Sequence, residues 1–316
     1  MSRSTISTFK LFELFPDEPS ARKYLEARLW KDGVTCPECA GKDRITIRKD
    51  GYYRCNACKL DFTVRTATIF ERSHVPLHKW LYAMYLLVTA RKGISSLQLG
   101  KEIGITQKSA WFVLHRLREA CGTGLEMLQG TVEVDETFFG GEESNRHMYD
   151  RIHKPRERTE KTIVVGMRQR GGNTVAKVVA STGGLALRGA IHENVAPGTR
   201  ILSDDYGSYT ALPKEGFQHD SVKHVTGEYV RGDVHTNGIE SVWAVMKRGM
   251  HGVYHHADKK HMGRYVNEFT FRLNQGNVSR HTTERLDSFV DAIAGKRITY
   301  AQLTKGKTWF DAEEAI

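Results

Sequence analysis

The sequence lacks any long hydrophobic run. No stretch approaches the roughly 18 consecutive apolar residues that a membrane span requires, and the first residues lead into no apolar core of the signal-peptide kind. Internal repeats and low-complexity tracts are also missing. These absences predict a cytoplasmic protein with no membrane partner.

Acidic residues are also in short supply. Against 47 lysines and arginines stand 37 aspartates and glutamates, which gives a formal net charge of +10 and a pI near 9.3. Basic side chains that neutralise phosphates release counterions, so this balance favours a nucleic-acid partner over the alternative of a merely soluble basic protein. With 316 residues and 40% hydrophobic composition, the chain is predicted to form two or three domains.

Cysteine is scarce, and four of the five cysteines form two close pairs. Cys36 and Cys39 make one CxxC turn and Cys55 and Cys58 the other, with fifteen residues between the turns. This spacing lets four thiolates surround one tetrahedral zinc ion. A closed four-sulfur site predicts structural rather than catalytic zinc; four reduced cysteines without metal are the alternative. Cys121 is interpreted as an ordinary thiol.

Helical periodicity predicts four helices in the first 125 residues. They cover 16–30, 77–88, 96–103 and 107–119, and Gly104 marks a turn between the last two. The last three helices have the pattern of a helix-turn-helix DNA reader with Thr106 as N-cap of the recognition helix. A three-helix bundle without a DNA role is the alternative.

The predicted recognition helix has an apolar and a polar side. Val113, Leu114 and Leu117 are expected to face the core. The polar positions are expected to meet phosphates or base edges in the major groove of DNA. They are Gln107, Lys108, Ser109, His115 and Arg116.

Strand patterns take over at Thr131. Strands are predicted over 131–139, 162–167 and 174–180, then a helix over 185–194, a strand ending at Asp204, a short helix and a strand near 221–225. Long helices follow from about Asn237 and His261. Three antiparallel strands, then helix, strand, helix, strand and helix, is the RNase-H-like order, an α/β fold with a mixed five-stranded sheet. The basic segment 146–161 is interpreted as a loop and a candidate for ordering on DNA.

Three acidic residues in this half predict metal-ion chemistry. Asp135 lies in an otherwise strand-like run, where a carboxylate is costly unless something pairs with it. Asp204 ends another strand, and Glu240 lies near the start of a helix. Because the first and fourth strands of an RNase-H-like sheet are neighbours, Asp135 and Asp204 are expected to approach each other and to need cations to stay ionised.

The three acids predict a site for two divalent ions, Mg²⁺ or alternatively Mn²⁺, held about 3.5–4 Å apart. Lys247 lies two helical turns beyond Glu240, so it is expected on the same helix face, where it could hold a DNA phosphate.

Neighbouring residues offer alternatives to these assignments. Asp205 could replace Asp204 as the metal ligand. Glu133 and Glu136 are interpreted as solvent-facing or supporting groups. His235 and Asn237 could contact metal or DNA, with a helix N-cap favoured for Asn237. Trp243 is interpreted as a core residue rather than a base-stacking platform.

Six motifs follow one another in the chain. They are Trp30-x5-Cys36-Pro37-x-Cys39, Val134-Asp135-Glu136-Thr137-x2-Gly140-Gly141, Ser203-Asp204-x4-Tyr209, His235-Thr236-Asn237-Gly238-Ile239-Glu240-Ser241-x-Trp243-x3-Lys247, His251-Gly252-x-Tyr254-His255 and Tyr265-x2-Glu268-Phe269-x2-Arg272-x-Asn274. In this order they resemble the bacterial insertion-sequence transposases that join a zinc ribbon to a DDE-type RNase-H-like core, the ISXO2-like family. The likeness covers about residues 9–274. It maps the family's three acids to Asp135, Asp204 and Glu240.

The resemblance implies cleavage and transfer of DNA strands at transposon ends, in a protein associated with the bacterial nucleoid. A dimer or larger homo-oligomer is expected because two ends must be held together. The predicted domains are a helix and zinc ribbon (1–70), a helix-turn-helix (71–125), a catalytic core (126–280) and a helical tail (281–316). A zinc-ribbon transcription regulator that never cuts DNA, and a nuclease that cuts without joining, are the competing hypotheses.

Overall fold

The computed structural model describes residues 5–122, 126–140, 148, 161–223, 226–275 and 280–305. They divide into two compact units, one from residues 5–122 and 275–305 and the other from the described residues between 126 and 274. None of the helices in these ranges combines the length and apolar character needed to cross a membrane.

The N-terminal unit begins with helices α1 (Thr8–Leu14) and α2 (Glu18–Leu29). The α2 helix starts at a capping box, in which Asp17 and Ser20 each accept a backbone hydrogen bond from the other residue. Its apolar side chains Ala21 and Leu25 are fully buried. The amphipathic helix predicted over 16–30 is therefore confirmed.

A small antiparallel sheet follows α2. Its strands β1 (Ile45–Ile47), β2 (Tyr53–Cys55) and β3 (Asp61–Phe62) pair in the order β1-β2-β3. Phe62 stacks on Tyr53, and the edge of Trp30 meets both rings. With strands of two or three residues, this sheet has little apolar mass of its own.

Helices α3 (Leu77–Thr89), α4 (Ser96–Ile103) and α5 (Gln107–Cys121) complete the N-terminal part. Their bounds agree with the predicted ones to within two residues. Gly104 ends α4 in the left-handed region, with φ of +65°. The Thr106 hydroxyl caps α5 by accepting from Ser109 N at 3.2 Å, as predicted.

The second unit is built on a mixed five-stranded sheet. Its strands are β4 (Thr131–Phe139), β5 (Thr162–Gln169), β6 (Thr174–Val179), β7 (Arg200–Asp204) and β8 (Gln218–Val222). They lie in the order β6-β5-β4-β7-β8. The first three are antiparallel, whereas β7 runs parallel to both β4 and β8. Thus β4 is central, with β5 on one side and β7 on the other.

Helices cover both faces of this sheet. Helix α6 (Gly184–Asn194) packs on one face through Leu187 and Ile191. Helices α7 (Asn237–Gly249) and α8 (Lys259–Gln275) pack on the other, where Trp243 and Phe269 share a core with Phe139. The predicted element order is confirmed, although β8 begins three residues before the predicted strand.

The last helices, α9 (Thr282–Asp291) and α10 (Tyr300–Lys305), belong to the N-terminal unit. Arg285 donates to the Val88 carbonyl at 2.9 Å, and Tyr24 donates to Asp287. The tail predicted over 281–316 is thus helical in its described part, and these side chains bind it to α2 and α3. The predicted loop 146–161 lies outside the described residues, apart from Met148 and Lys161.

Candidate active site and metal centre

The four paired cysteines converge at one end of the small sheet. Their sulfur atoms all lie within 4.8 Å of one another, with Cys36 Sγ 3.5 Å from Cys58 Sγ and Cys39 Sγ 3.6 Å from Cys55 Sγ. Sulfur ligands at about 2.3 Å from a tetrahedral zinc ion stand about 3.8 Å apart, so these positions fit zinc. The distances are too long for disulfides.

Backbone amides lower the pKa of one thiol in this cluster. The amides of Cys58 and Ala57 donate to the Cys55 sulfur and lower the pKa of that thiol to about 6. Although the Leu60 amide lowers the pKa of Cys58, burial and the neighbouring thiols raise it to about 12, so Cys55 ionises readily whereas Cys58 becomes a thiolate ligand only when a cation binds.

Asp135 lies on the central strand β4, on the face covered by α7. Trp243 Nε1 of α7 donates to Asp135 Oδ2 at 2.9 Å. The indole ring can reach this place because β5 has Gly166 directly opposite Asp135. A β-carbon at Gly166 would lie 2.5 Å from the Trp243 ring. Trp243 is thus a core residue, as predicted, and also a hydrogen-bond donor to the first acid.

The environment of Asp135 opposes its negative charge. Burial raises the pKa of Asp135 to about 7, the hydrogen bond from Trp243 works against that rise, and the charges of Glu136 and Asp204 add to it. An aspartate crowded by other carboxylates is stabilised in its charged form by a cation. The oxygen ligands and their charge suit Mg²⁺.

Asp204 ends β7 beside β4. The parallel pairing places Glu133 opposite Leu202, and two residues further along each strand come Asp135 and Asp204. Because side chains alternate along a strand, both carboxylates belong to the α7 face. Asp204 is half-buried and Asp205 exposed, which favours Asp204 over its neighbour.

Glu240 lies in the first turn of α7. Ile239 is buried against the sheet, and each residue turns the helix by about 100°, so Gly238 and Glu240 flank Ile239 on opposite sides. Arg168 of β5 donates to the Gly238 carbonyl at 3.2 Å and lies 3.4 Å from Ser241 Oγ. Glu240 itself is exposed, and the Thr236 hydroxyl donates to its carboxylate at 3.0 Å.

Lys247 lies two turns beyond Glu240 on the same side of α7 and is exposed. Asp135 and Asp204 thus lie on one face of the sheet and Glu240 on the helix that covers this face, but the carboxylate oxygens of the three do not all lie within 4.8 Å of one another. Within the described ranges, the four cysteines are the only group of three or more His, Cys, Asp or Glu residues whose ligand atoms lie within 4.8 Å of one another.

Glu133 has a role that the sequence interpretation missed. Its side chain is 2% exposed and accepts from Ile239 N at 3.0 Å. It therefore caps α7, whose own N-cap residue, Thr236, makes no side-chain capping bond. The expectation of a solvent-facing Glu133 is wrong, because residues two apart on a strand share a face and Glu133 lies with Asp135. Its alternative, a supporting role, describes Glu133 well.

The Arg170 guanidinium compensates the buried Glu133 carboxylate. Arg170 Nε donates to Glu133 Oε1 at 2.9 Å, and His235 Nδ1 lies 3.5 Å from the same oxygen. Asn237, proposed as N-cap, is instead the first helical residue and is exposed. Glu136 is half-buried and accepts from Tyr209 Oη at 2.6 Å, which also makes it a supporting group.

Glycine at 238 is required by this cap. A β-carbon there would lie 2.5 Å from Glu133 Oε2, and the carboxylate is held from several sides. We expect Gly238→Ala to lower stability by about 1–3 kcal/mol, measured as a fall in melting temperature. The matched control is Gly189→Ala in α6, where nothing lies within 4 Å and alanine should be neutral or stabilising. Equal melting temperatures for the two variants would contradict the capping role.

The five polar positions of α5 separate into two groups. Gln107, Lys108 and Ser109 are exposed, as predicted. His115 is fully buried and Arg116 is 6% exposed, so their assignment to the outer face is wrong. Arg116 donates to the Ile69 carbonyl at 2.8 Å and lies over the Phe112 ring, partners that helical periodicity alone could not reveal. Val113, Leu114 and Leu117 are buried, as predicted.

The site depends on residues with no separate sequence signal. Glu133 contacts groups 37 and 106 residues away, and Trp243 reaches Asp135 across 108 residues. One local pattern did indicate a shared face: Glu133 and Asp135 are two residues apart on a strand, so their side chains lie on the same side of the sheet.

Two family models match the chain. One, described as a transposase zinc-ribbon domain, matches residues 16–61. The other, an ISXO2-like transposase domain, matches residues 127–274. The chain therefore combines a segment similar to a transposase zinc-ribbon domain with a segment similar to an ISXO2-like transposase domain of the DDE type.

Two further similarities accompany these matches. A protein in transposable element ISH50 of Halobacterium salinarum is 28% identical over 283 residues, covering 82% of this chain and 91% of the relative. That relative is archaeal, so the likeness is not confined to bacteria. A chain in the crystal structure of a pre-cleavage Mos1 transpososome aligns with 69% of this chain and 79% of its own length, at 12% identity and a TM-score of 0.25. This last likeness is too low to place a site.

Proposed function

We propose that this transposase cleaves DNA at transposon ends and joins the freed ends to target DNA, using Asp135, Asp204 and Glu240 to hold two Mg²⁺ ions, with Mn²⁺ as the alternative. The observation that carries the proposal is the placement of these acids. They come from three separate segments: Asp135 and Asp204 lie on the α7 face of the sheet, and Glu240 lies in the first turn of α7. Burial, together with the charges of Glu136 and Asp204, raises the pKa of Asp135 to about 7.

The roles of the side chains follow from this placement. When bound, a pair of divalent ions activates the attacking water or terminal hydroxyl and stabilises the leaving oxygen. Asp135, on the central strand, is oriented by Trp243, and Asp204 supplies oxygens from the neighbouring strand. Glu240 approaches from α7, where the Thr236 hydroxyl donates to its carboxylate at 3.0 Å.

Lys247 is proposed to hold a DNA phosphate next to the acids. It is exposed, lies on the Glu240 side of α7 and carries a mobile point charge suited to phosphate. His235 remains a candidate DNA contact, and so does Asn237, which is exposed at the start of α7.

Sequence-specific binding of transposon ends is assigned to a helix-turn-helix formed by α4 and α5. Gln107, Lys108 and Ser109 are its exposed polar positions. Lys108 lies over the Tyr300 ring at 4.7 Å, so α10 partly covers this face. A structural zinc ion at the four cysteines is proposed to hold the ribbon against DNA, and a dimer or larger homo-oligomer is proposed to bring two ends together.

Product mapping tests the proposal. The protein is incubated with Mg²⁺ and the DNA that flanks its own gene, and cut and joined products are sequenced. We expect Mg²⁺-dependent cuts at the element ends and ends joined to new DNA, both lost in Glu240→Gln. Binding without cleavage would support the transcription regulator instead. Cleavage without joining would support the hydrolytic nuclease.

A further inference from the structure

Ser203 lies one residue before the second acid, and its side chain is on the opposite face of the sheet. Ile201, two residues earlier on β7, belongs to the core that packs against α6, and side chains two apart on a strand share a face. Ser203 is fully buried, so its hydroxyl needs partners within the protein. It has two, the Asp204 carbonyl at 2.6 Å and His219 Nε2 at 2.9 Å.

The single proton of the hydroxyl sets the direction of these hydrogen bonds. Ser203 has one proton to donate, and a carbonyl oxygen can only accept, so this proton goes to Asp204. The Ser203 oxygen must then accept from His219, which places a proton on Nε2 of the imidazole. The bonds therefore run from His219 Nε2 to Ser203 Oγ and on to the Asp204 carbonyl.

His219 is held in place on β8. It pairs with Ile201 in the parallel register of β7 and β8, it is half-buried, and its ring centre lies 6.4 Å from that of Tyr209. Burial lowers the pKa of His219, although the charges of Asp220 and Asp205 oppose this fall. The ring is therefore neutral at pH 7, with one N–H donor.

These bonds act on Asp204 through its peptide group. The Asp204 carbonyl and the Asp205 amide belong to one rigid plane, so a bond that fixes the carbonyl also fixes the direction in which the chain leaves β7. Further along that chain, Tyr206 N donates to Asp204 Oδ1 at 3.3 Å. The backbone that Ser203 fixes is therefore the backbone that orients the carboxylate.

Two other roles for this pair do not fit the geometry. Ser203 is fully buried and donates its proton to a carbonyl, so it is not placed to attack a substrate. His219 meets Ser203 on the α6 face, whereas the carboxylates of Asp135 and Asp204 lie on the α7 face. The imidazole and the proposed cations are thus on opposite sides of the sheet.

We propose that His219 is a positioning residue for the second acid, which acts through Ser203 to orient the Asp204 carboxylate toward the divalent ions. This inference rests on the proposed function, since it takes Asp204 as a metal ligand. Removal of a residue that supports a metal ligand commonly lowers metal affinity or activity by about 10–100-fold. We therefore expect loss of the His219 bond to raise the Mg²⁺ concentration for half-maximal cleavage by about tenfold.

Two amide substitutions of His219 test whether the donor must reach Ser203. In His219→Gln the side-chain nitrogen can occupy the place of Nε2 and donate to the hydroxyl. In His219→Asn the nitrogen ends at the place of Nδ1 and falls short. We expect the glutamine variant to keep the parental Mg²⁺ requirement and the asparagine variant to raise it about tenfold.

Further variants separate positioning from a general loss of stability. Ser203→Ala should match His219→Asn, and the two substitutions together should have no larger effect than either alone, because they break the same chain. Gln218→Asn is the matched control, since it makes the same shortening at an exposed site on β8, and it should keep the parental requirement. A purely structural role for His219 would lower the melting temperature without changing the Mg²⁺ requirement.

Nitrogen-15 NMR of histidine-labelled protein gives a readout that does not depend on cleavage. The ring signals of His219 are assigned by their absence in His219→Gln. We expect a neutral ring with its proton on Nε2 at pH 7, because Ser203 can only accept from it. Melting temperature and zinc content verify the folding of each variant.

The outcomes separate the two proposals. A ring with its proton on Nδ1, an unchanged Mg²⁺ requirement in His219→Asn, or a loss as large in His219→Gln would each show that His219 does not position the acid. Mg²⁺-dependent cleavage by the parent protein would then leave the proposed function intact. If the parent protein never cuts DNA, the proposed function fails and this inference fails with it.

Discussion

Asp135→Asn is expected to reduce Mg²⁺-dependent DNA cleavage by more than about 100-fold. This loss is larger than the usual effect of removing a residue that only hydrogen-bonds to a metal ligand. The amide keeps the shape of the side chain and can still accept from Trp243 Nε1, but it removes the charge that holds the cation. Affinity for end DNA without Mg²⁺ should stay within about threefold of the parent protein, since Asp135 is not assigned to DNA binding.

Gel-based cleavage assays and anisotropy titrations measure these two quantities. Asp205→Asn is the matched control, because Asp205 is exposed and adjoins the second acid. It should cleave at nearly the parental rate. Undiminished cleavage by Asp135→Asn would reject the assignment of the first acid, and loss of activity in Asp205→Asn but not in Asp204→Asn would exchange those two residues.

The same Asp135→Asn variant should be more stable than the parent protein at alkaline pH when divalent ions are absent. Burial raises the pKa of Asp135 from 3.8 to about 7, so the folded protein retains a proton that the unfolded chain releases. The stability gained from that proton is complete below pH 3.8 and is lost as the pH rises through 7.

Asparagine stays neutral at every pH. The melting temperature of the variant, relative to the parent, should therefore increase from about pH 4 to about pH 7 and then level off. Differential scanning fluorimetry over this range measures it. A difference that does not change with pH would show that Asp135 is not buried as a disfavoured charge.

Removal of zinc is expected to unfold the ribbon while the five-stranded sheet stays folded. The three strands of the ribbon have eight residues in all, too few to build a stable core alone. Structural zinc in comparable small sites contributes about 10–16 kcal/mol of apparent binding free energy. Hydrogen exchange should therefore lose protection over 36–62 on chelation but keep it in β4 and β5, and binding to end DNA should weaken.

Cysteine variants sharpen this experiment. Cys55→Ser should abolish binding of one zinc per chain, measured by native mass spectrometry. Cys121→Ser is the control, because Cys121 is a buried thiol that bonds the Leu117 carbonyl and stands outside the cluster. Unchanged DNA binding after chelation would contradict a structural role for zinc in end recognition.

Most helices and strands could be predicted from local sequence patterns. The helix over 96–103 and the strand over 131–139 were predicted with the bounds that the structure has, because their periodicity, caps and turn residues agree. The start of β8 was less accessible, since its first residues, Gln218, His219 and Asp220, are polar and pair in the sheet despite weak strand propensity.

The sequence-based predictions were wrong mainly for side chains whose contact partners are far away in the sequence. His115 and Arg116 look like surface residues in the sequence, but they are buried, and Arg116 finds a carbonyl 47 residues away. The acids of the candidate site were found through their order in the chain. Their support by Glu133, Gly166 and Trp243 was not, because it arises only when β4, β5 and α7 are packed together.

The capping of α7 by Glu133 has a consequence for the geometry of the acids. One strand carries Asp135 and, two residues earlier, the carboxylate that fixes the first turn of the helix bearing Glu240. A displacement of β4 during DNA engagement would therefore carry both acids together as a single rigid element. Asp204 lies on a different strand. Such a movement would therefore change the distances from Asp204 to Asp135 and Glu240.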